Sequence, residues 1–212
     1  MITLTLKNLA FEREHQVLFS DLSCHLQEGD FLQVIGENGS GKSTLLRILA
    51  GLLEPHEGDV LWQGKSIFQE RDAYQPHLHY IGHLNGIRPY LTCYENLDLN
   101  ASLISQKITR EHINESLRQV SLHRSSTLQA IHLSAGQQRR LALARLLLHP
   151  AKLWILDEPT TALDQSSQEM LTQMLNQHVK TGGIVVIATH QDFMIEASEK
   201  HIAHLSAPRR DS

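Results

Sequence analysis

Residues Gly36, Glu37, Asn38, Gly39, Ser40, Gly41, Lys42 and Ser43 follow the pattern G-x-x-x-x-G-K-[ST] without a mismatch, and Thr44 comes directly after. That spacing suits a polyphosphate. Glycines let the backbone wrap an anion so that N–H groups and the positive end of a following helix point at it. Lys42 is then placed to reach the β- and γ-phosphates, and Ser43 to offer its hydroxyl to Mg²⁺. Much later, Leu153, Trp154, Ile155 and Leu156 run apolar into Asp157 and Glu158. Acids at the carboxyl end of a strand sit where open α/β sheets gather ligands. Asp157 can hold Mg²⁺ through water, and Glu158 is placed to polarise an attacking water. Taken singly, the first pattern could be a glycine-rich turn with a chance lysine and the second a solvated turn. Together they favour the nucleotide reading.

The elements around these groups must hold them in place. Residues 2–9 alternate apolar and polar like a strand, and 17–26, closed by the turn Glu28, Gly29 and Asp30, read as an antiparallel second segment. Residues 31–35 form a short buried-strand run ending in glycine. A helix is predicted over 42–52, with an apolar stripe at Leu45, Leu46, Ile48, Leu49 and Leu52. Strand, glycine-rich turn and helix is the context a phosphate-binding loop needs. Pro55, Gly58 and Gly64 punctuate a short strand at 60–62. From about 95 to 148 the pattern turns helical and more polar. Residues 152–156 and 184–188 are continuous apolar runs of strand length, suited to central strands of a parallel sheet covered on both faces. The prediction is an α/β fold with a mostly parallel core sheet, an N-terminal antiparallel subdomain and an inserted helical lobe. One domain spans 1–212, with a core lobe at about 1–84 and 150–206 and a helical lobe at about 85–149. The tail from Ala207 is expected to fray.

Composition narrows the classes. With 41% hydrophobic and 20% charged residues, the 212-residue chain is ordinary globular material. A net charge of -4 argues against nucleic acid as a partner, because that mode needs clustered Lys and Arg. Cys24 and Cys93 form no CxxC, so neither a metal cluster nor attached haem is indicated. The first residues lack the basic head and unbroken apolar core of a signal peptide. No apolar run reaches the ~20 residues needed to cross a bilayer. Any service to a membrane is expected to be peripheral.

A third motif points to a family. Leu133, Ser134, Ala135, Gly136 and Gln137, followed by Gln138, Arg139 and Arg140, resemble the LSGGQ signature of ABC ATPases, and nearly the whole chain resembles that family in motif order. Ser134 and Gly136 open a helical run predicted over 137–147, so the signature lies at a helix N-terminus and offers a second anion site. The resemblance implies a P-loop nucleotide hydrolase of the ABC type, with ATP and Mg²⁺ as its ligands. It also implies a head-to-tail homodimer, each ATP held between one subunit's P-loop and the other's Ser134, Gly136 and Gln137. Thr161 to Asp164 resemble the D-loop that couples the two sites. His190, after the strand 184–188, resembles the switch histidine on the γ-phosphate, making Glu158, His190 and Lys42 the implied catalytic set. Phe11 falls where the family stacks an aromatic on adenine; a Phe beside a strand is otherwise a core residue.

One departure stands out. At the Q-loop position, counted back from Glu95 and Asn96, the family has Gln and this chain has His83. Imidazole can still act near Mg²⁺ and the water, with protonation adding pH sensitivity to coupling. The stretches 80–92 and 133–146 look like the ATP-binding subunit of the cytochrome c maturation system, a family described as haem exporters. That likeness implies integral membrane permease subunits as partners, at the cytoplasmic face of a bacterial inner membrane, with ATP turnover driving a step of haem handling. Nothing in the residues shows haem: His56, His77, His79 and His83 read as scattered loop and surface histidines. The nearest alternative is the motor of another ABC transporter, for lipids, lipoproteins or drugs. ABC ATPases of DNA or ribosomes carry long coiled coils or two cassettes in one chain, and this chain has neither. A kinase or GTPase would leave the signature, Asp164 and His190 unexplained.

Overall fold

A computed structural model describes residues 2–103 and 108–206, so the predicted fraying from Ala207 lies outside the described residues. The chain opens with β1 (Thr3–Arg13) and β2 (Gln16–Gln27), paired antiparallel from Thr3↔Gln27 to Arg13↔Gln16. Register shifts between Leu6 and Glu12, with Asn8 at φ 47°, break the strict alternation, which is why the sequence pattern ended at Leu9 while the strand continues. Then come β3 (Phe31–Gly36), α1 (Lys42–Leu49), β4 (Glu57–Trp62), β5 (Lys65–Ser66), α2 (Arg71–Tyr74) and β6 (Leu78–Ile81). Three helices follow, α3 (Cys93–Ser102), α4 (Arg110–Gln119) and α5 (Ala135–Ala144). The chain returns through β7 (Leu153–Asp157), α6 (Gln165–Lys180), β8 (Ile184–Ala188) and β9 (Lys200–Leu205).

The strands form two sheets. One runs β2-β1-β4-β5 and is antiparallel; the other runs β6-β7-β8-β3-β9, and every pairing in it is parallel. Helix α1 fills the space between them. Its Leu45, Leu46, Ile48 and Leu49 are fully buried with Leu4 and Val60 of the first sheet and Leu32 and Val34 of the second. On the other face of the parallel sheet, Leu171 and Leu175 of α6 pack on Trp154, Val185 and Ile187. Because both faces are covered, β7 and β8 are buried at every position, as their continuous apolar runs require. Between β6 and β7, helices α3 to α5 carry a hydrophobic centre of their own, with Cys93, Leu97, Ile113, Leu117 and Leu141 at 0–1% exposure.

Helix α1 stops three residues short of the predicted end. Gly51 at φ 69° donates to the Ile48 carbonyl and Leu52 to that of Arg47, a Schellman closure that leaves Leu52 outside and more than half exposed. The signature helix likewise begins at Ala135 rather than Gln137 and gives way at Ala144 to a 3₁₀ turn, Arg145–Leu147. His79 departs from the surface expectation. It lies in β6 with its ring 4.1 Å from that of His149, and burial beside this second imidazole pushes its pKa down to about 3.

Candidate nucleotide-binding and hydrolysis site

The glycine-rich loop joins the end of β3 to the start of α1. Gly41 caps α1 at φ 97°, and among the described residues no side chain caps the helix's first N–H groups. At Gly36 the backbone is crowded from behind, since a Cβ there would run into the Leu205 carbonyl and the Ser40 hydroxyl. Gly39, at φ 86°, has open space in front of it. Lys42 is 7% exposed, and its Nζ donates to the carbonyls of Gly36 (2.6 Å) and Glu37 (3.2 Å). The ammonium thereby holds the loop in a curl from within.

One cleft of about 460 Å³ gathers Glu37, Asn38, Gly39, Gly41, Lys42, Ser43, Thr44, His83, Asp157 and Glu158. Residues 120 positions apart meet because β3 and β7 run parallel, separated by β8, and so deliver their carboxyl ends to the same edge. Gly36 and the fully buried Ser40 lie behind the loop. Asp157 is 2% exposed at the end of β7. Glu158 follows in left-handed backbone, φ 44°, with its N–H on the Ala188 carbonyl at 2.9 Å, which ties the acid-bearing turn to the end of β8. Two residues past β8, His190 places Nε2 3.2 Å from the Lys42 Nζ and 3.7 Å from a Glu158 carboxylate oxygen. Lysine, histidine and glutamate from three parts of the chain thus share one corner.

Other expected residues lie elsewhere. Ser134 and Gln137 close a reciprocal capping box on α5: the Ser134 hydroxyl accepts from the Gln137 N–H at 3.2 Å, and the Gln137 side chain accepts from the Ser134 N–H at 2.9 Å. Gly136 lies so close to the Ala162 carbonyl that a Cβ would approach it to 2.7 Å. Ser134, Gly136 and Gln137 are absent from the lining of the P-loop cleft. Asp164 caps α6 by accepting from the Ser167 N–H, and hydrogen bonds from Ser167 hold its carboxyl below the ordinary carboxylate range. Phe11 does not line the cleft either. Its ring stacks on His56 at 4.6 Å and packs against the core, while Arg13, Glu14, Gln16 and Leu18 supply that wall.

Sequence reasoning gave Arg139 no role, and the structure gives it a central one. It is 3% exposed and donates to five acceptors: the carbonyls of Asp157 (2.7 Å), Glu158 (2.9 Å), Pro159 (3.1 Å) and Gly82 (3.1 Å), and the side-chain oxygen of Asn85 (2.9 Å). Two adjacent arginines on a polar helix gave no sign of which one turns inward. Its neighbour Arg140 bonds the Val120 carbonyl instead.

Known proteins share this fold. The ABC transporter family model matches residues 19–161, and the chain belongs to that family. A dimeric bacterial ABC transporter cassette superposes with a TM-score of 0.83 at 27% identity, covering 96% of this chain and 94% of that one. An ATP-binding cassette in a post-hydrolysis state with ADP and Pi superposes at 0.78 with 28% identity, covering 89% and 88%. Within the family, the chain falls among the cytochrome c biogenesis ATP-binding export proteins CcmA. It is 45% identical to that of Haemophilus influenzae over 189 residues, 89% of each chain, and 46% identical to that of Escherichia coli over 193 residues, 91% of each.

Proposed function

We propose that this chain is the ATP-hydrolysing subunit of an export complex for cytochrome c biogenesis. It works as one half of an ATP-sandwiching homodimer, seated on integral membrane permease subunits of the cytochrome c maturation system at the cytoplasmic face of a bacterial inner membrane. The observation that carries the ATPase reading is the single cleft shared by the loop 36–43, Asp157 and Glu158. The loop N–H groups and Lys42 bind the phosphates, and Lys42 exchanges its carbonyl partners for phosphate oxygens as ATP enters. Ser43 and Asp157 face the cleft with oxygen donors, the type Mg²⁺ takes, and Mg²⁺ held there would neutralise charge on the β- and γ-phosphates. His83 is a nitrogen donor and suits that hard ion poorly, so its place is at the water and at coupling to the lobe beyond it. Glu158 polarises the attacking water, and His190, against both Lys42 and Glu158, reads the γ-phosphate.

The signature groups at the start of α5 close the site from the partner subunit, since they lie outside their own chain's cleft. Among the described residues no helix is long and apolar enough to cross a membrane, so this reading assigns the pathway to partner subunits. Affinity purification of the tagged chain from native membranes in detergent, with mass spectrometry of its partners, tests the assignment. Co-purifying cytochrome c maturation membrane subunits support it. A different permease would keep the ATP-driven motor and remove the cytochrome c assignment.

A further inference from the structure

We infer that Arg139 is the positioning residue of the hydrolytic turn, fixing Glu158 in the cleft and tying that carboxylate to the signature helix and to the segment after β6. The inference rests on the reading of Glu158 as the group that polarises the attacking water.

A guanidinium has five N–H donors in a rigid planar fork. Here all five are used: Nε on Pro159, one terminal nitrogen on Asp157 and Glu158, and the other on Gly82 and Asn85. Three of the acceptors are successive carbonyls of the acid-bearing turn, the geometry that locks a backbone rather than a side chain. The turn needs such a lock, because Glu158 is a non-glycine residue at φ 44°, a conformation that persists only where its surroundings over-determine it. The Glu158 N–H supplies one restraint through Ala188, and Arg139 holds the carbonyls on both sides. Among the described residues no carboxylate bonds this buried cation, and its charge lies near both Asp157 and Glu158.

The fork has a further consequence. Arg139 sits on α5, whose first residues form the proposed contact with the partner's nucleotide, while its other acceptors, Gly82 and Asn85, flank His83. A shift of α5 must pull on the turn bearing Glu158 and on the His83 segment together. Lysine cannot replace this: its three donors radiate from one point, whereas the fork spans acceptors from residue 82 to residue 159.

The full chain carrying Arg139→Gln or Arg139→Lys is assayed for kcat, KM for ATP, affinity for a fluorescent ATP analogue, and Tm. Glu158→Gln marks the loss of the base, and Leu117→Val, in the centre of the helical lobe, serves as the destabilised control. Arg139→Gln should lower kcat by about tenfold or more with KM and nucleotide affinity within about twofold, and Arg139→Lys should fall between it and wild type, because small displacements of a catalytic group act on the chemical step. A near-normal kcat in both Arg139 variants beside an inactive Glu158→Gln overturns this inference alone. Full turnover by Glu158→Gln overturns the reading of the base with it. A parallel loss of kcat and nucleotide affinity, or a kcat loss that Leu117→Val reproduces at the same fall in Tm, makes Arg139 a structural residue only.

Discussion

At the scale of single residues the cleft is set by what cannot be larger. Gly36 is enclosed by the Leu205 carbonyl and the Ser40 hydroxyl, whereas Gly39 faces open space and is constrained by its backbone alone. Gly36→Ala should therefore cost about 1–3 kcal/mol through overpacking and displace the loop, with loss of ATP binding. Gly39→Ala should cost about 1–2 kcal/mol through its left-handed φ, with the Gly36 wall intact. Chemical denaturation beside titration of a fluorescent ATP analogue separates the two. An undisturbed Gly36→Ala would mean that Leu205 at the end of β9 yields more easily than a strand carbonyl should. The motif residues were readable because their chemistry dictates their type. Phe11 was not, since an aromatic at the end of β1 serves equally as an adenine platform or as a neighbour for His56 and the core.

At the scale of elements, one buried and one half-buried imidazole shape how the fold responds to acid. On α6, His178 stacks on Trp154 of β7 with ring centroids 3.9 Å apart, and burial pushes its pKa down to about 4. On β6, His79 is pushed down to about 3 by burial beside His149. Between these values and the ordinary histidine pKa of about 6.5, the unfolded chain binds protons that the folded chain refuses, so stability falls as pH falls through that window. By pH 5 each group should have removed roughly 2 kcal/mol relative to pH 7. Thermal melts at pH 7.5 and 5 should show a lower Tm in acid, and His178→Phe should shrink the difference. A Tm independent of pH would show that these rings reach solvent. The burial that produces this effect was invisible in the sequence, where β6, α6 and β9 gave no expected element and the histidines looked scattered.

At the scale of the whole molecule, the signature end of α5 lies outside the P-loop cleft of its own chain, so the proposed ATP site needs a second copy to complete it. Glu158→Gln, expected on the proposed reading to keep ATP contacts and stop turnover, should elute as a dimer on gel filtration with saturating ATP and Mg²⁺, and wild type should return to its starting size as ATP is consumed. A monomeric Glu158→Gln chain under those conditions would sink the sandwich. Much of the fold was legible beforehand. The loop 36–43, the strand ending in Asp157 and Glu158, the capped signature helix and the sheet-buried runs 31–35, 152–156 and 184–188 are local patterns, since phosphate chemistry fixes residue type and burial fixes hydrophobic period. The tertiary structure alone decided what depends on pairing across distance: the strand order β6-β7-β8-β3-β9, the turning of Phe11 toward His56, and the inward choice of Arg139 over Arg140. Those outcomes depend on which buried donors and acceptors the assembled fold leaves unpaired, and no stretch of sequence carries that information by itself.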